Sequence, residues 1–185
     1  MRPALLIVDI QNDYFPGGAM ELAGSPEAAD HAARLLEAFR EKRAPVIHMQ
    51  HVSLRPGATF FRPDTEGVKI HERVTPLADE TVFRKHFPNS FRETPLLEHL
   101  RANGVDRLVI AGMMTHMCID TTTRAAADLG FECLLAHDAC ATRDLAFGAA
   151  KVGAKDVQAA FVAALNGPFA KALPALEAQA AAFRA

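Results

Sequence analysis

A cysteine lies where a strand-like run of apolar residues turns into a helix. The run Leu108–Ala111 is interrupted by Gly112, and a helical pattern opens near Cys118 and continues to Leu129. A cysteine in the first turn of a helix is suited to nucleophilic attack, because the helix N-terminus favours a thiolate and offers N–H groups to a developing oxyanion. The alternative is that Cys118 is one more small apolar residue of the core.

An acid and a base follow two other predicted strands. Asp9 ends the apolar run 4–8, and Lys85 follows the short strand predicted at 81–84. Because ligands of parallel α/β sheets bind beyond the carboxyl ends of the strands, we expect Asp9, Lys85 and Cys118 to converge. Taken singly, Asp9 is explained as a cap of the next turn and Lys85 as a solvated lysine. Together the three residues favour an acid–base group, a cation and a nucleophile.

The remaining sequence supplies the elements that would position these residues. Apolar runs predict strands, and apolar residues at helical spacing predict helices. Strands are predicted at 4–8, 46–52, 81–84, 107–111 and 131–136, and helices at 27–42, 94–104, 118–130 and 156–167, the last capped by Asp156. This alternation predicts one domain over 1–185, a three-layer α/β/α fold with a mostly parallel sheet. The long loop 53–80 is expected to be functional, and the Ala-rich tail from Pro168 to be partly helical.

Composition excludes several classes of protein. Half of the 185 residues are apolar, which excludes a disordered chain, and the net charge of −2 without a Lys/Arg run excludes a nucleic-acid partner. No apolar run reaches the length of a membrane span, and 4–8 is too short for a signal peptide. Three cysteines cannot all pair within one chain, which indicates free thiols, a reducing compartment and a cytoplasmic protein.

Three segments around the candidate residues resemble a known family. LLIVDIQNDYF, FRKHFPNSF and VIAGMMTHMCIDTTTRAAADLGF resemble the isochorismatase-like cysteine hydrolases, which include nicotinamidases and carbamoylsarcosine amidohydrolases, and the resemblance covers nearly the whole chain. It implies a Rossmann-like α/β/α fold with a six-stranded sheet, and a triad of Asp9, Lys85 and Cys118. It also implies a cis peptide between Met113 and Met114, with the N–H groups of Met114 and Cys118 forming an oxyanion hole.

The resemblance implies a hydrolase that cleaves a C–N bond of a small molecule, in an amide, ureide or lactam. Cys118 would form a thioester, with Asp9 as general base and acid and Lys85 as its electrostatic partner, and no cofactor is expected. Three alternatives remain open: a hydrolase of a vinyl ether or ester, a redox-sensing thiol protein, and a binding protein without catalytic activity. In this family a neighbouring subunit often covers the cleft, which implies a homodimer or tetramer.

The nicotinamidases of the family carry a metal site, built from an aspartate and histidines after the second strand. Here the corresponding region contains His48, His51 and, further on, His71, without the aspartate. We therefore predict that the protein holds no metal. His48 and His51 are expected to line the cleft or to satisfy polar groups at a strand end.

Loop phenylalanines on the cleft side predict an apolar pocket with a lid. The candidate pocket residues are Phe15, Gln11, His51, Phe60, Phe61, Phe87, Phe91 and Thr115. The alternative is that the phenylalanines pack the loops onto the body or form a subunit interface. Arg55 and Arg84 could meet an acidic substrate or only solvent, and solvent is the favoured interpretation. Cys140, also predicted to follow a strand, lacks the helix start and ranks behind Cys118 as the nucleophile.

Overall fold

A six-stranded parallel sheet forms the centre of the molecule in the computed structural model, which describes residues 1–184. The last residue of the predicted tail lies outside that range. The strands are β1 Pro3–Val8, β2 Val46–His51, β3 Thr81–Lys85, β4 Arg107–Met113, β5 Glu132–Ala141, β6 Leu145–Phe147, β7 Ala150–Val152 and β8 Lys171–Leu173. The sheet has the order β3-β2-β1-β4-β5-β8, and β6 and β7 form a separate antiparallel hairpin.

Helices cover both faces of this sheet. They are α1 Ser25–Glu41, α2 Leu96–Ala102, α3 Asp120–Asp128, α4 Ala154–Leu165 and α5 Ala175–Ala182. One apolar cluster joins β1 to α1 and α5, and a second joins the other face of β1 to α2, α3 and α4. β1 and β4 are buried along their whole length, as expected for central parallel strands covered on both sides. The predicted three-layer α/β/α fold is confirmed.

The strand that contains Cys140 is longer than predicted. β5 continues past Ala136 because, after an irregularity in the pairing near Ile110, Gly112 and Met113 of β4 pair with Cys140 and Ala141. Cys140 therefore lies within the sheet and is buried. The prediction that it follows a strand was wrong.

The C-terminal third of the chain differs most from the prediction. α4 begins at Ala154, after Gly153, so Asp156 lies in its first turn and is not its cap. Helical spacing places Val157, Ala160 and Ala164 on one face of this helix, but only Val157 is buried, and the two alanines are exposed. The tail contains β8 before α5, and a strand of three residues is too short for its period to be recognised in the sequence. None of the helices in residues 1–184 combines the length and the apolar character needed to cross a membrane.

Candidate active site

Asp9 follows β1 directly and points into the interior. Its backbone has φ 53°, in the left-handed region, and its N–H donates to the carbonyl oxygen of Met49 at 3.0 Å. The side chain is fully buried. The neighbouring strand β4 approaches closely here, because Gly112 pairs with Val8 and a Cβ at position 112 would collide with the Val8 carbonyl oxygen. Glycine thus brings the turn after β4 next to Asp9.

Lys85 ends β3 and extends its ammonium group into the same buried space. Its Nζ lies 2.7 Å from Oδ2 of Asp9 and 3.3 Å from Sγ of Cys118. Two further acceptors surround it, Nδ1 of His51 at 3.2 Å and the carbonyl oxygen of Phe87 at 3.1 Å. Burial alone would lower the pKa of Lys85, but the charge of Asp9 and the contact with Cys118 raise it above its usual value, so the side chain is an ammonium.

Cys118 lies in a π-helical turn, Thr115–Ile119, between β4 and α3. It is not in the first turn of α3, which begins at Asp120. Burial and the charge of Asp9 raise the pKa of the Cys118 thiol well above its usual value, and Lys85 offsets only part of that. This direction is opposite to the one expected for a cysteine at a helix start, because burial and the charge of Asp9 act against the cation. A base beside the sulfur would therefore assist the loss of its proton.

Asp9 is placed to act as that base. A carboxylate oxygen of Asp9, a ring nitrogen of His51 and Sγ of Cys118 all lie within 4.8 Å of one another. Among the described residues, neither oxygen of Asp9 receives a hydrogen bond of good geometry, so the contact with Lys85 is an ion pair. The carboxylate therefore keeps the capacity to accept a proton from the thiol.

The peptide bond between Met113 and Met114 is cis. This bond joins the end of β4 to the π-helical turn that carries Cys118. Met114 and Cys118 both line one cavity of about 300 Å³. The single tyrosine of the chain and much of the first part of the long loop also line the cavity. Its lining residues besides Met114 and Cys118 are Tyr14, His51, Ser53, Arg55, Pro56, Gly57, Ala58, Thr59, Phe60, His86, Pro88 and Met117.

Of the predicted pocket residues, His51 and Phe60 line this cavity. Phe15 and Phe61 do not line it. Phe15 stacks on His71 with ring centroids 3.6 Å apart, and Phe61 packs against the cavity residue Tyr14 at 4.6 Å. These two loop phenylalanines are buried in the core and hold the loops onto the body of the protein. The alternative interpretation of the loop phenylalanines therefore applies to them.

Phe87 and Phe91 also lie outside the cavity lining. The guanidinium of Arg92 covers the ring of Phe87 at 3.6 Å, and it is the Phe87 backbone carbonyl that contacts Lys85. Phe91 packs beside Phe131 with centroids 6.2 Å apart, in the apolar cluster of the α2 and α3 face. A guanidinium holds the ring of Phe87 and an aromatic ring holds that of Phe91, both outside the cleft, and neither partner could be inferred from the loop positions.

Gln11 and Thr115, two further candidate pocket residues, are fully buried supports of the site. Gln11 bonds the backbone of His51, while Oγ1 of Thr115 contacts Oε1 of Gln158 at 2.6 Å and the Ala141 carbonyl oxygen at 3.2 Å. Their polar groups are satisfied within the protein, so neither lines the cavity.

Tyr14 is one of the cavity residues that were not predicted from the sequence. It is buried, and its pKa is raised well above the usual value by burial and by the nearby Cys118 and Asp9. The signal in the sequence is its place in the polar patch after β1, as the single tyrosine of the chain. Arg55, expected to face only solvent, is exposed and also lines the cavity.

The three histidines considered as metal ligands, His48 and His51 of β2 and His71 of the following loop, lie apart in the structure. His48 is buried, with Nε2 3.0 Å from Oε2 of Glu80, and His71 lies against Phe15. Only His51 of the three joins Asp9 and Cys118 in a set of potential metal ligands. The ammonium of Lys85 contacts each member of that set, at 2.7, 3.2 and 3.3 Å. A divalent cation would meet that positive charge, so the residues present do not fit a metal.

Comparisons with known proteins agree with this geometry. Residues 3–164 match the family model of the isochorismatase domain. The chain is 52% identical over 170 residues to the uncharacterized isochorismatase family protein YddQ of Bacillus subtilis (strain 168), covering 92% of this chain and 94% of YddQ. It is 30% identical over 156 residues to the maleamate amidohydrolase of Pseudomonas putida, covering 77% of this chain and 73% of that protein. A crystal structure of an isochorismatase-family hydrolase from Oleispira antarctica matches with TM-score 0.93 and 47% identity, covering 97% and 96% of the two chains.

Proposed function

The chain belongs to the isochorismatase family of hydrolases, and from this premise we propose that it hydrolyses a C–N bond of a small amide, with Cys118 as nucleophile. The observation that carries the proposal is the position of the Lys85 ammonium, 2.7 Å from Asp9 Oδ2 and 3.3 Å from Cys118 Sγ. An acid–base group, a cation and a thiol thus meet beside a cavity that has room for a small molecule.

The first half of the reaction forms a thioester. Asp9 accepts the thiol proton while the sulfur of Cys118 bonds to the substrate carbonyl carbon, and the carbonyl π electrons move to oxygen. The backbone N–H groups of Met114 and Cys118 stabilise that oxyanion, and Lys85 stabilises the thiolate as it forms. When the oxyanion collapses, the C–N bond breaks and Asp9 returns its proton to the leaving nitrogen.

The second half releases the acid. Water attacks the thioester carbon as Asp9 removes one of its protons, and the second tetrahedral oxyanion occupies the same two N–H groups. Collapse breaks the C–S bond, and the departing sulfur takes the proton from Asp9. The thiol and the carboxylate are restored, so the cycle consumes one water for each amide bond and needs no other reactant.

Two properties support the proposal, the first for the nucleophile and its base, the second for an amide substrate. The raised pKa of Cys118 leaves a thiol that needs a base beside it, and Asp9 is that base within the buried space. The relative from Pseudomonas putida is named for the hydrolysis of an amide, maleamate. An ester would use the same oxyanion hole, with Asp9 returning its proton to a leaving oxygen. A vinyl ether has no carbonyl carbon at the reacting position, so it could form neither the thioester nor the oxyanion. The alternatives of a redox sensor and a non-catalytic binder gain no specific support from the site.

The same proposal includes a homo-oligomeric protein that needs no metal and acts in the cytoplasm. Three cysteines without disulfide partners are compatible with a reducing compartment. The β6–β7 hairpin projects Phe147 with 91% of its surface exposed, a suitable contact for a second copy of the chain. Metal analysis and the mass in solution test these two points directly.

A substrate panel with a matched variant tests the reaction. The panel contains maleamate, nicotinamide, propionamide, N-carbamoylsarcosine, a lactam, an aryl ester and isochorismate, followed for release of ammonia and acid. We expect ammonia from at least one amide and a hydroxamate when hydroxylamine traps the thioester. Cys118→Ala should keep the circular dichroism spectrum and lose turnover by more than about 10³-fold. Turnover retained by folded Cys118→Ala would refute the nucleophile, and hydrolysis of isochorismate or the ester alone would refute the amide.

A further inference from the structure

His51 joins the buried ion pair to the cavity. Its Nδ1 lies 3.2 Å from Nζ of Lys85, and its ring forms part of the cavity wall that also contains Cys118. The side chain is 16% exposed. One edge of the imidazole therefore faces Lys85, and the opposite edge faces the space where a substrate would bind.

The contact with Lys85 determines which ring nitrogen of His51 carries the proton. An ammonium group has three donors and no acceptor, so Nδ1 of His51 accepts and carries no hydrogen. A proton on Nδ1 would need Asp9 as its acceptor, but Oδ2 of Asp9 is 4.0 Å away, too far for a hydrogen bond. A neutral imidazole with a bare Nδ1 carries its hydrogen on Nε2.

The charges around the ring keep this imidazole neutral. Burial is the largest cause that lowers the pKa of His51 to about 4. The charge of Asp9 acts in the opposite direction, and Lys85, His86 and Arg55 add to the lowering. At neutral pH the residue is consequently an uncharged hydrogen-bond donor. It cannot supply a proton to a leaving group.

Gln11 fixes the position of His51 through the backbone. The Gln11 side chain accepts from the His51 N–H at 2.8 Å and donates to the His51 carbonyl oxygen at 2.9 Å, and it also donates to the Val68 carbonyl oxygen at 2.7 Å. Gln11 is fully buried. The donor of His51 is thus held in place before a substrate arrives, which reduces the entropy lost on binding.

We propose that His51 is a specificity-determining residue whose Nε2–H donates to a hydrogen-bond acceptor of the substrate beyond the scissile carbonyl group. The assignment rests on the proposed function. A substrate without that acceptor leaves the donor unpaired in the cavity, and its kcat/KM is therefore lower by roughly 10-fold to 100-fold. The substrate class is therefore small amides with a second acceptor, such as a carboxylate, a carbonyl or a ring nitrogen, in preference to simple alkyl amides.

Nitrogen NMR of the protein labelled with ¹⁵N-histidine tests the tautomer. Long-range ¹H–¹⁵N spectra distinguish the two neutral tautomers and the imidazolium, and the missing signal of His51→Gln assigns the resonance. We expect a neutral ring with its hydrogen on Nε2 from pH 8 down to about pH 5, and Lys85→Met should remove the preference for that tautomer. A hydrogen on Nδ1 of the wild-type residue, or protonation of His51 above pH 6, would overturn the proposal.

Kinetics then test the donor with the panel amide that has the highest kcat/KM and with propionamide. His51→Leu should lower kcat/KM for the former by roughly 10-fold to 100-fold more than for propionamide, with the difference mainly in KM. His51→Gln, whose amide N–H can donate, should recover part of the loss. Equal losses on both amides would show that His51 acts only through Lys85 and would refute the proposal. If no amide in the panel is hydrolysed, the proposed function fails and the tautomer alone decides the assignment.

Discussion

Nζ of Lys85 lies 2.7 Å from Oδ2 of Asp9, and both side chains are shielded completely from solvent. Lys85 ends β3 and Asp9 follows β1, and β2 lies between these strands in the sheet, so the contact spans the carboxyl ends of three neighbouring strands. A buried ion pair depends on both partners, because removing one leaves a charge without water or a counter-ion. The stability and the chemistry of the site therefore depend on the same contact.

The variant Lys85→Met should lose both activity and stability. Asp9 then remains buried without its cation, which costs about 3–5 kcal/mol of unfolding free energy, and turnover should fall by at least about 10²-fold. Urea denaturation followed by circular dichroism measures the first effect, and ammonia release the second. The double variant Lys85→Met/Asp9→Asn no longer contains the isolated charge. It should recover most of the lost stability but remain inactive. A double variant no more stable than Lys85→Met would contradict the ion-pair explanation.

The residues that meet in the site were predictable because each follows a strand that the sequence reveals. The apolar run before Asp9 and the one before Gly112 mark central strands, and the residues at the carboxyl ends of parallel strands lie at one edge of the sheet. The state of Cys118 was not predictable, since it depends on how deeply the π-helical turn is buried. A pattern of residue types contains no information about that depth.

Most residues of the cavity wall could not be predicted from the sequence. Phe60 and Phe61 are adjacent in the loop, yet Phe60 lines the cavity while Phe61 packs under it against Tyr14. Residues of a long loop have no period that separates an inner from an outer side. Their positions come from packing between distant segments, as does the stacking of Phe15 on His71.

Gly112→Ala should prevent β1 and β4 from pairing closely next to Asp9. The new Cβ would overlap the carbonyl oxygen of Val8, and the backbone at Gly112 has φ 136°, which side chains rarely allow. We expect a loss of at least about 3 kcal/mol in unfolding free energy and poor recovery of folded protein. Gly153→Ala is the matched control, because nothing lies within 4 Å of the added Cβ there. Equal stability of the two variants in urea melts would contradict the close approach of β1 and β4.

The stability of the wild-type protein should fall between pH 5 and pH 2 partly through Glu80. Burial alone would raise the pKa of Glu80, but hydrogen bonds from Arg40, the Leu77 backbone and His48 lower it to about 2. A carboxyl whose pKa is lower in the folded chain than in the unfolded chain stabilises the fold at pH values above its unfolded-state pKa. That contribution is lost as the pH falls toward the folded-state pKa. Glu80→Gln should be less stable than wild type by about 1–3 kcal/mol at pH 6. Urea melts at pH 6, 4 and 2 should show this gap closing, and a gap that stays constant would rule out the linkage.

Asp9→Asn should make Cys118 easier to alkylate even though it abolishes hydrolysis. After burial, the charge of Asp9 is the largest cause of the raised pKa of Cys118, and Lys85 acts against it. Without that charge the thiolate fraction at pH 8 rises by about 10-fold for each unit that the pKa falls. Limiting iodoacetamide followed by mass spectrometry measures the rate. Cys133 and Cys140 are internal controls, because burial raises the pKa of each to about 12 and neither lines the cavity. Slower labelling of Cys118 in Asp9→Asn would contradict this expectation, because it would mean that Asp9 stabilises the thiolate. The resting site would then contain a thiolate paired with the Lys85 ammonium and not a thiol.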